Sequence, residues 1–358
     1  MLGIVGTHVI ENYGVFKGTT EFSINYFVCL MLSIIFELSV GIFGVLSGYL
    51  MFKNTRFKSK KIFNLLSIAL FYSVIFTIIS YAFNINGFRE QGYDFWKANL
   101  FPFPPISYAY WYLSGYIVTY AVSPFINYFI NKANKHTVKS LIVVLFALFS
   151  VIPSIALSHD LFDINMTPFL LIYLYIIGAY IGKYYSDVKL NKKKLLKWFL
   201  ILFIVVFSFN AIVRVATNHI LGKVAFSDWF INNFSPFIVI MAVLLVLIFK
   251  DLKINIKTKV ESKLIKYVSV TTFAVYIIHN HTMFDTLLTG SIGFIGQYNV
   301  VLMVLCLVGV ILAIFIGCLL IDLIRQGIYK LFRLETFFNF LGHKQDRLLH
   351  FLGHVPKV

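Results

Sequence analysis

The chain has 358 residues, of which 59% are hydrophobic, 18% aromatic and only 13% charged. This composition, with its long uncharged apolar runs, excludes an ordinary soluble domain and indicates an integral membrane protein. The formal net charge of +16 does not indicate a nucleic-acid binder, because the basic residues lie in short segments next to apolar runs rather than in a cluster on a polar surface.

Apolar runs long enough to cross a bilayer, which takes about 20 helical residues, recur along the chain. Residues 1–10 are apolar but too few to cross, and they lack the charged start and cleavage site of a signal peptide. We expect them to form the outer half of a first helix that begins upstream of Met1. Nine further runs are predicted to cross the membrane: 28–52, 62–83, 108–130, 140–157, 168–186, 198–213, 234–249, 267–288 and 299–321. The predicted fold is an all-α integral membrane bundle of about ten transmembrane helices, the first of them truncated.

One membrane domain is expected over residues 1–325, because no repeat or linker divides the chain and the longest outer loop, 84–107, has only 24 residues. Residues 326–358 form a basic, aromatic tail. Such a composition is typical of an amphipathic helix that lies in the membrane interface. We therefore predict an interfacial helix for the tail and no second domain.

Lysine and arginine are distributed unequally between alternate connecting segments. Those predicted on one side, 53–61, 131–139, 183–197, 250–266 and the residues from 324 onward, contain 26 of the 31 basic residues, and the other side contains 5. The positive-inside rule places the basic side and the C-terminus in the cytoplasm of a multi-pass plasma-membrane protein. The net charge thus reflects topology, and anionic lipid head groups are its expected partners.

Ionisable side chains within apolar spans are costly and are therefore candidate functional groups. They include His8, Glu37, His279 and His281. His8 precedes Glu11 by three residues, so the two share a helix face, and the carboxylate would orient the imidazole as a general base. For His279 and His281 the alternative is a hydrogen-bonded packing role.

No metal site is predicted. The three cysteines, Cys29, Cys306 and Cys318, lie in apolar runs and indicate packing rather than a disulfide framework or a zinc site. On one continuous helix, His279 and His281 would splay by about 200° and could not bind one ion together. A pair of His281 and Asp285 on one face would still supply too few ligands for zinc.

Glycines and polar residues are concentrated where the span 28–52 ends. Gly41, Gly44 and Gly48 have two interpretations. One is close helix packing; the other is backbone exposed to a ligand at the cytoplasmic mouth.

A basic turn follows this glycine-rich stretch. Lys58 and Lys61 share a face if the turn is helical, and with Ser47 and Tyr49 they would bind the phosphates of a cytosolic ligand. The alternative is that the lysines report only topology.

Six segments in order resemble the membrane-bound acyltransferase-3 family: GIVGTH, GIFGVLSGYL, FKSKKIFNLL, YWYLSGYIVTYAVSPFINYF, YLYIIGAYIGKYY and TFAVYIIH. The resemblance extends from residue 1 to about 325. It implies a ten-helix enzyme that transfers an acyl group, usually acetyl, from cytosolic acetyl-CoA to a hydroxyl of a cell-envelope polysaccharide or related glycan. The composition, low in Cys and rich in Lys, Asn, Ile and Phe, indicates a bacterial source. Other polysaccharide-biosynthesis proteins are expected as partners.

The resemblance also assigns residues. The functional histidine corresponds to His8, and the family's basic pair corresponds to Lys58 and Lys61, with lysine in place of the more usual arginine. The family's arginine, ten intervening residues before the histidine, would precede Met1. We therefore expect that the chain starts late or that part of the site is lost.

The expected mechanism is transfer through the membrane. Acetyl-CoA would bind at Lys58 and Lys61 with its acyl arm directed towards His8, which deprotonates a sugar hydroxyl or transiently carries the acetyl group. A set of residues would line the acceptor cavity: Glu37, Trp111, Tyr112, Tyr276 and His279. For Trp111 and Tyr112 an interfacial belt or core packing is the alternative.

Three other interpretations stay open. A glycan or lipid-linked-sugar flippase is disfavoured because the proline-interrupted segment at Pro124 has no counterpart in a second half. A polysaccharide polymerase or ligase would be expected to carry a large basic outer loop, and no outer loop has more than two basic residues. The third is an inactive member of the family.

Overall fold

The computed structural model describes residues 1–104, 106–155, 164–226, 229–252 and 258–351. Within these ranges all regular secondary structure is helical. The helices are α1 (Leu2–Ile10), α2 (Ile24–Met51), α3 (Ser59–Ala82), α4 (Tyr93–Leu100), α5 (Trp111–Lys132), α6 (Lys135–Phe146), α7 (Ile152–Ile155), α8 (Pro168–Tyr185), α9 (Lys192–Leu221), α10 (Pro236–Phe249), α11 (Lys259–His279), α12 (Thr282–Leu288), α13 (Val300–Leu331) and α14 (Leu334–Phe351).

Five helical segments among the described residues are long and apolar enough to cross a membrane: α2, α3, the continuous stretch Lys135–Ile155, α9 and α13. The prediction of a helical membrane protein is confirmed, whereas the count of about ten spans stays a prediction. Helices α5, α8 and α11 have 22, 18 and 21 residues, but they carry more polar and tyrosine side chains. Burial against neighbouring helices explains this for α8, because a helix inside the bundle does not need an apolar surface for lipid.

The glycines of α2 allow close packing at the centre of the bundle. A Cβ atom on Gly48 would collide with the carbonyl of Tyr175 on α8, and one on Gly178 of α8 would collide with the carbonyl of Val45 on α2. The two backbones therefore meet directly, as small residues permit. The packing interpretation is confirmed, and the alternative of exposed backbone is wrong because Gly48 is buried.

The tail forms a helix that packs on the start of α3. The backbone N–H of Ser59 donates to the Asp346 carboxylate at 2.7 Å, and Gly342 lies against the backbone of Lys60. The predicted domain boundary at residue 325 falls inside α13, which continues to Leu331. An interfacial position for α14 stays a prediction.

The predicted span 267–288 is two helices. Helix α11 ends at His279, and α12 starts after His281, whose Nδ1 accepts a hydrogen bond from the backbone N–H of Met283 at 3.2 Å. The expectation of one continuous helix through both histidines is therefore wrong, because His281 caps a new helix instead of continuing the old one.

Candidate active site

A cavity of about 540 Å³ opens at the end of the bundle opposite the basic turn 53–61. It lies between the C-terminal ends of α1 and α11, the N-terminal ends of α5 and α12, and the middle of α2. Polar and aromatic side chains dominate its wall: Thr7, His8, Glu11, Asn12, Glu37, Ser107, Trp111, Tyr112, Asn165, Asn233, Tyr276, Asn280, Thr282 and Asp285. A cavity of this size can hold a small molecule or one or two sugar units.

His8 lies in the cavity wall in the last turn of α1. Its Nδ1 is 3.3 Å from Nδ2 of Asn12, one helical turn further on. Glu11 caps the same helix and also lines the cavity, so its predicted role beside His8 stays a prediction. Sequence reasoning missed Asn12, although its i,i+4 spacing from His8 was a usable signal.

His279 lies directly beside His8, with the two ring centroids 5.1 Å apart and the planes at 77°. It is 1% exposed, and its Nδ1 is 2.6 Å from the carbonyl oxygen of Val275. Nδ1–H therefore donates, which leaves the lone pair of the neutral ring on Nε2. Within the described part of the chain this Nε2 has no hydrogen-bond partner.

Asp285, on the short helix α12, supplies a carboxylate to the cavity wall. Asn12 donates a hydrogen bond to this carboxyl group. Asn12 thus connects an acidic group with the His8 ring. Asp285 was considered at the sequence level only as an insufficient metal ligand, and its contact with Asn12 depends on two distant segments.

His281 is a packing residue. It is fully buried, its Nε2 lies 3.2 Å from the carbonyl of Asn99, and its ring contacts Phe76 with centroids 5.2 Å apart. Since Nδ1 accepts from Met283, both ring nitrogens are used within the protein. The packing alternative is confirmed for this histidine.

The aromatic residues predicted to line the acceptor cavity lie close to one another and to His279. Trp111 and Tyr112 begin α5, and the Tyr112 ring lies 5.8 Å from that of Tyr276 on α11. The Tyr276 ring lies 6.4 Å from that of His279. With Glu37, these residues border one cavity; the part that each takes in a reaction stays a prediction.

The residues predicted to bind the acyl donor, acetyl-CoA, lie towards the C-terminal end of α2 and at the start of α3. Lys58 precedes α3 with an extended backbone, φ −131° and ψ 103°. The turn is therefore not helical at Lys58, so the condition for a helical face shared with Lys61 is not met, and the role of the pair stays a prediction. Lys58 is exposed, whereas the Lys61 Nζ donates to the Tyr116 hydroxyl at 2.5 Å and lies 4.6 Å from the centre of the Tyr120 ring.

A column of tyrosines separates the two ends. Tyr112, Tyr116 and Tyr120 repeat at i,i+4,i+8 on α5 and extend about 12 Å along that helix. Tyr112 lines the cavity and Tyr116 and Tyr120 contact Lys61. Ser47, Tyr49, Lys58 and Lys61 are not among the cavity-lining residues, so the passage expected between the donor and acceptor ends stays a prediction.

Among the residues that the structure describes, no group of three or more His, Cys, Asp or Glu side chains is placed to bind a metal ion. Cys29 and Cys318 are buried and Cys306 is half-buried, all as free thiols. Cys29 Sγ lies 4.0 Å from Met303 Sδ. The packing interpretation of this cysteine is confirmed.

The fold and the cavity together define a helical membrane protein with a polar, histidine-containing chamber at one end of its bundle. The chain belongs to the acyltransferase-3 family: the family model described as an acyltransferase domain matches residues 1–322. The family predicted from the six sequence segments is thereby confirmed, and with it membrane acyl transfer in general. Among curated proteins and solved structures there was no significant match.

Proposed function

We propose that this protein transfers an acetyl group from cytosolic acetyl-CoA to a hydroxyl of a cell-envelope polysaccharide or lipid-linked glycan on the other side of the membrane. Membership of the family supports acyl transfer. The observation that carries the more specific proposal is the 540 Å³ cavity with His8 in its wall, at the end of the bundle opposite the basic turn. The unequal distribution of basic residues supports an outer position for this cavity.

The cavity wall suits a carbohydrate acceptor. Amide and carboxylate groups of Asn12, Asn280 and Asp285 can donate to and accept from sugar hydroxyls. Trp111 and Tyr112 offer flat apolar surfaces to the C–H faces of a sugar ring. The few polar groups would orient one hydroxyl, and the aromatic rings would hold the ring in place.

His8 would act as the general base through Nδ1. Because Asn12 Nδ2 donates to this atom, the neutral His8 ring carries its proton on Nε2. An acceptor hydroxyl that replaces Asn12 at Nδ1 gives up its proton as its oxygen attacks the thioester carbonyl. The carbon–sulfur bond then breaks, the thiolate of CoA takes the proton from the imidazolium, and the acetyl ester remains on the sugar.

His279 would be a positioning residue for His8. Its Nε2 lone pair lies in a buried site beside the His8 ring. If the His8 Nε2–H turns towards this lone pair, the imidazolium formed during the reaction is stabilised and Nδ1 stays available as the base. Val275 holds His279 in the required tautomer.

The donor would enter from the basic turn. Its phosphates would bind Lys58 and Lys61. A phosphate that replaces Tyr116 as the partner of Lys61 would break the hydrogen bond between α3 and the tyrosine column. The acyl arm would then pass the column towards His8, with Ser47 and Tyr49 on the α2 side.

Sided membrane vesicles test this proposal. Radiolabelled acetyl-CoA added to inverted vesicles, whose cytoplasmic face is outside, should label glycan, and the same donor added to sealed right-side-out vesicles should not. Absence of label together with normal glycan export would contradict acetyl transfer and favour a flippase. Equal labelling in both orientations would contradict the predicted sidedness.

A further inference from the structure

A second cavity, of about 530 Å³, lies at the other end of the molecule, between the starts of α3 and α14, the middle of α11 and the end of α13. The acyl-transfer proposal does not use it. Its wall includes three cationic side chains, Arg325, Lys330 and Arg333, with Asn64, Gln326 and Glu335. This density of cations next to an apolar helix suggests a ligand that carries negative charge.

The floor of this cavity is a buried ion pair. Arg325 donates to the Asp322 carboxylate through Nε at 2.6 Å and through a terminal nitrogen at 3.1 Å. Tyr72 and Gln326 each donate to the same carboxylate at 2.8 Å. Asp322 is therefore neutralised and held on several sides, and the floor is rigid. A guanidinium has five N–H donors, so Arg325 keeps donors beyond those given to Asp322.

The charge left at the cavity is positive. The charges of Arg325 and Asp322 cancel. The exposed side chains of Lys330, Arg333 and Glu335 together contribute one net positive charge. One phosphodiester carries a single negative charge and would balance this set. Lys330 and Arg333 are close in sequence at the junction of α13 and α14, so both can reach one phosphate group.

The surroundings favour an amphiphile over a soluble anion. Several large apolar side chains near the cavity are exposed: Val270 by 62%, Ile324 by 66%, Leu331 by 76% and Phe332 by 66%. Ile324, Leu331 and Phe332 occur where α13, one of the membrane-crossing candidates, ends, and Val270 lies on α11 in the cavity wall. This is the level at which lipid head groups meet acyl chains, so a charged head group can occupy the cavity while its chains cover these residues.

We propose that the cavity between α3, α11, α13 and α14 is a binding site for the phosphodiester head group of an anionic phospholipid of the phosphatidylglycerol type. Lys330 and Arg333 contact the phosphate, and Arg325 and Asn64 donate from the floor and side. The bound lipid joins the end of α13 to α14, which itself packs on α3.

The full chain, reconstituted in nanodiscs, provides the test. Lipids that stay with the protein are measured by native mass spectrometry after exchange between phosphatidylglycerol and phosphatidylcholine. Replacing both cations, Lys330→Gln with Arg333→Gln, should weaken retention of phosphatidylglycerol by roughly 30-fold, since each basic residue near the surface contributes about 1 kcal/mol and 1.4 kcal/mol corresponds to about tenfold. The matched control is Lys192→Gln with Lys193→Gln at the start of α9, which removes the same charge outside the cavity and should lower retention by far less than the Lys330/Arg333 variant does.

Three other results would contradict the proposed lipid site. Equal retention by the wild type and the Lys330/Arg333 variant, with both correctly folded by circular dichroism, would overturn the proposal. So would equal retention of phosphatidylcholine. Displacement of the lipid by excess inorganic phosphate or by CoA would identify a site for soluble anions instead of a lipid site.

Discussion

His8 and His279 are 271 positions apart in the chain, yet the centroids of their imidazole rings lie 5.1 Å apart in an edge-to-face arrangement. The neighbours of the two rings define complementary tautomers: Asn12 donates to His8 Nδ1, and His279 Nδ1 donates to Val275. One ring therefore carries an N–H donor at Nε2 and the neighbouring ring carries a lone pair at Nε2. This relationship gives the strongest chemical basis for the proposed transfer, because it explains how a single histidine is oriented as a base.

Replacement of His8 by alanine should abolish glycan acetylation. A positioned general base accelerates a reaction by about 100- to 10,000-fold. The rate of label transfer from acetyl-CoA should therefore fall by about 100-fold or more. The matched control is His136→Ala on the exposed face of α6, which should behave as the wild type. Retained transfer in the His8 variant at normal expression would remove His8 from the mechanism.

His279→Phe should reduce transfer by about tenfold or more, equivalent to about 1.4 kcal/mol in the barrier, because the lone pair beside His8 is lost. His279→Gln, whose amide can place an acceptor near the Nε2 position, should recover part of the rate. The measurement is the initial rate of labelling across a pH series. His281→Phe is the control, since it removes a buried histidine whose nitrogens are used in packing.

An effect on catalysis at His279 can be distinguished from an effect on packing at His281. His281→Phe should lower the thermal stability and leave the pH profile of the remaining activity unchanged. If His279→Phe and His279→Gln show identical rates and the wild-type pH profile, His279 has only a structural role.

Lys61→Met should raise the KM for acetyl-CoA by about tenfold with a smaller change in kcat, since one charge-assisted contact with a phosphate is lost. The methionine can keep the apolar contact with Tyr116 and Tyr120. Lys53→Met, in the same turn but exposed, serves as the control. An unchanged KM would show that the donor phosphates bind elsewhere.

Gly48→Ala should destabilise the bundle by about 1–3 kcal/mol, the usual cost of overpacking, because the new Cβ would meet the carbonyl of Tyr175. Gly309→Ala on α13 is a matched control, since a Cβ there has open space around it. Thermal unfolding in detergent, followed by circular dichroism, measures the difference. Equal melting temperatures for the two variants would contradict the close approach of α2 and α8.

Asp346→Ala should loosen the tail, because its carboxylate accepts the hydrogen bond from Ser59 at the start of α3. Loss of such a cap costs about 1 kcal/mol, so the undocked fraction of α14 should rise several-fold. Limited trypsin cleavage at Lys344 reports this fraction. The control is Asp187→Ala, an exposed aspartate in the α8–α9 connection, and equal cleavage rates would show that α14 docks without this contact.

Much of the fold follows from local composition. Apolar runs between basic turns predicted most helices, and they also indicated a membrane protein, since the cost of burying charge in lipid acts on each segment separately. Where local pattern was insufficient, the structure departs from it: the predicted span 267–288 is wrong because His281 caps a new helix, and the turn is not helical at Lys58, which precedes α3. Both depend on hydrogen bonds and backbone angles that periodicity does not encode.

The candidate site, like the fold, was predictable from the sequence only in part. The sequence alone determined the membrane class, the family and the asymmetry of charge, and it singled out His8 as a candidate, since each of these is recorded in residue types and their order. Only the tertiary structure decided that His279 lies beside His8, that glycines pack α2 on α8, and that Lys61 is bound to tyrosines of α5. These contacts join segments far apart in the chain, and their geometry is set by how the helices pack together.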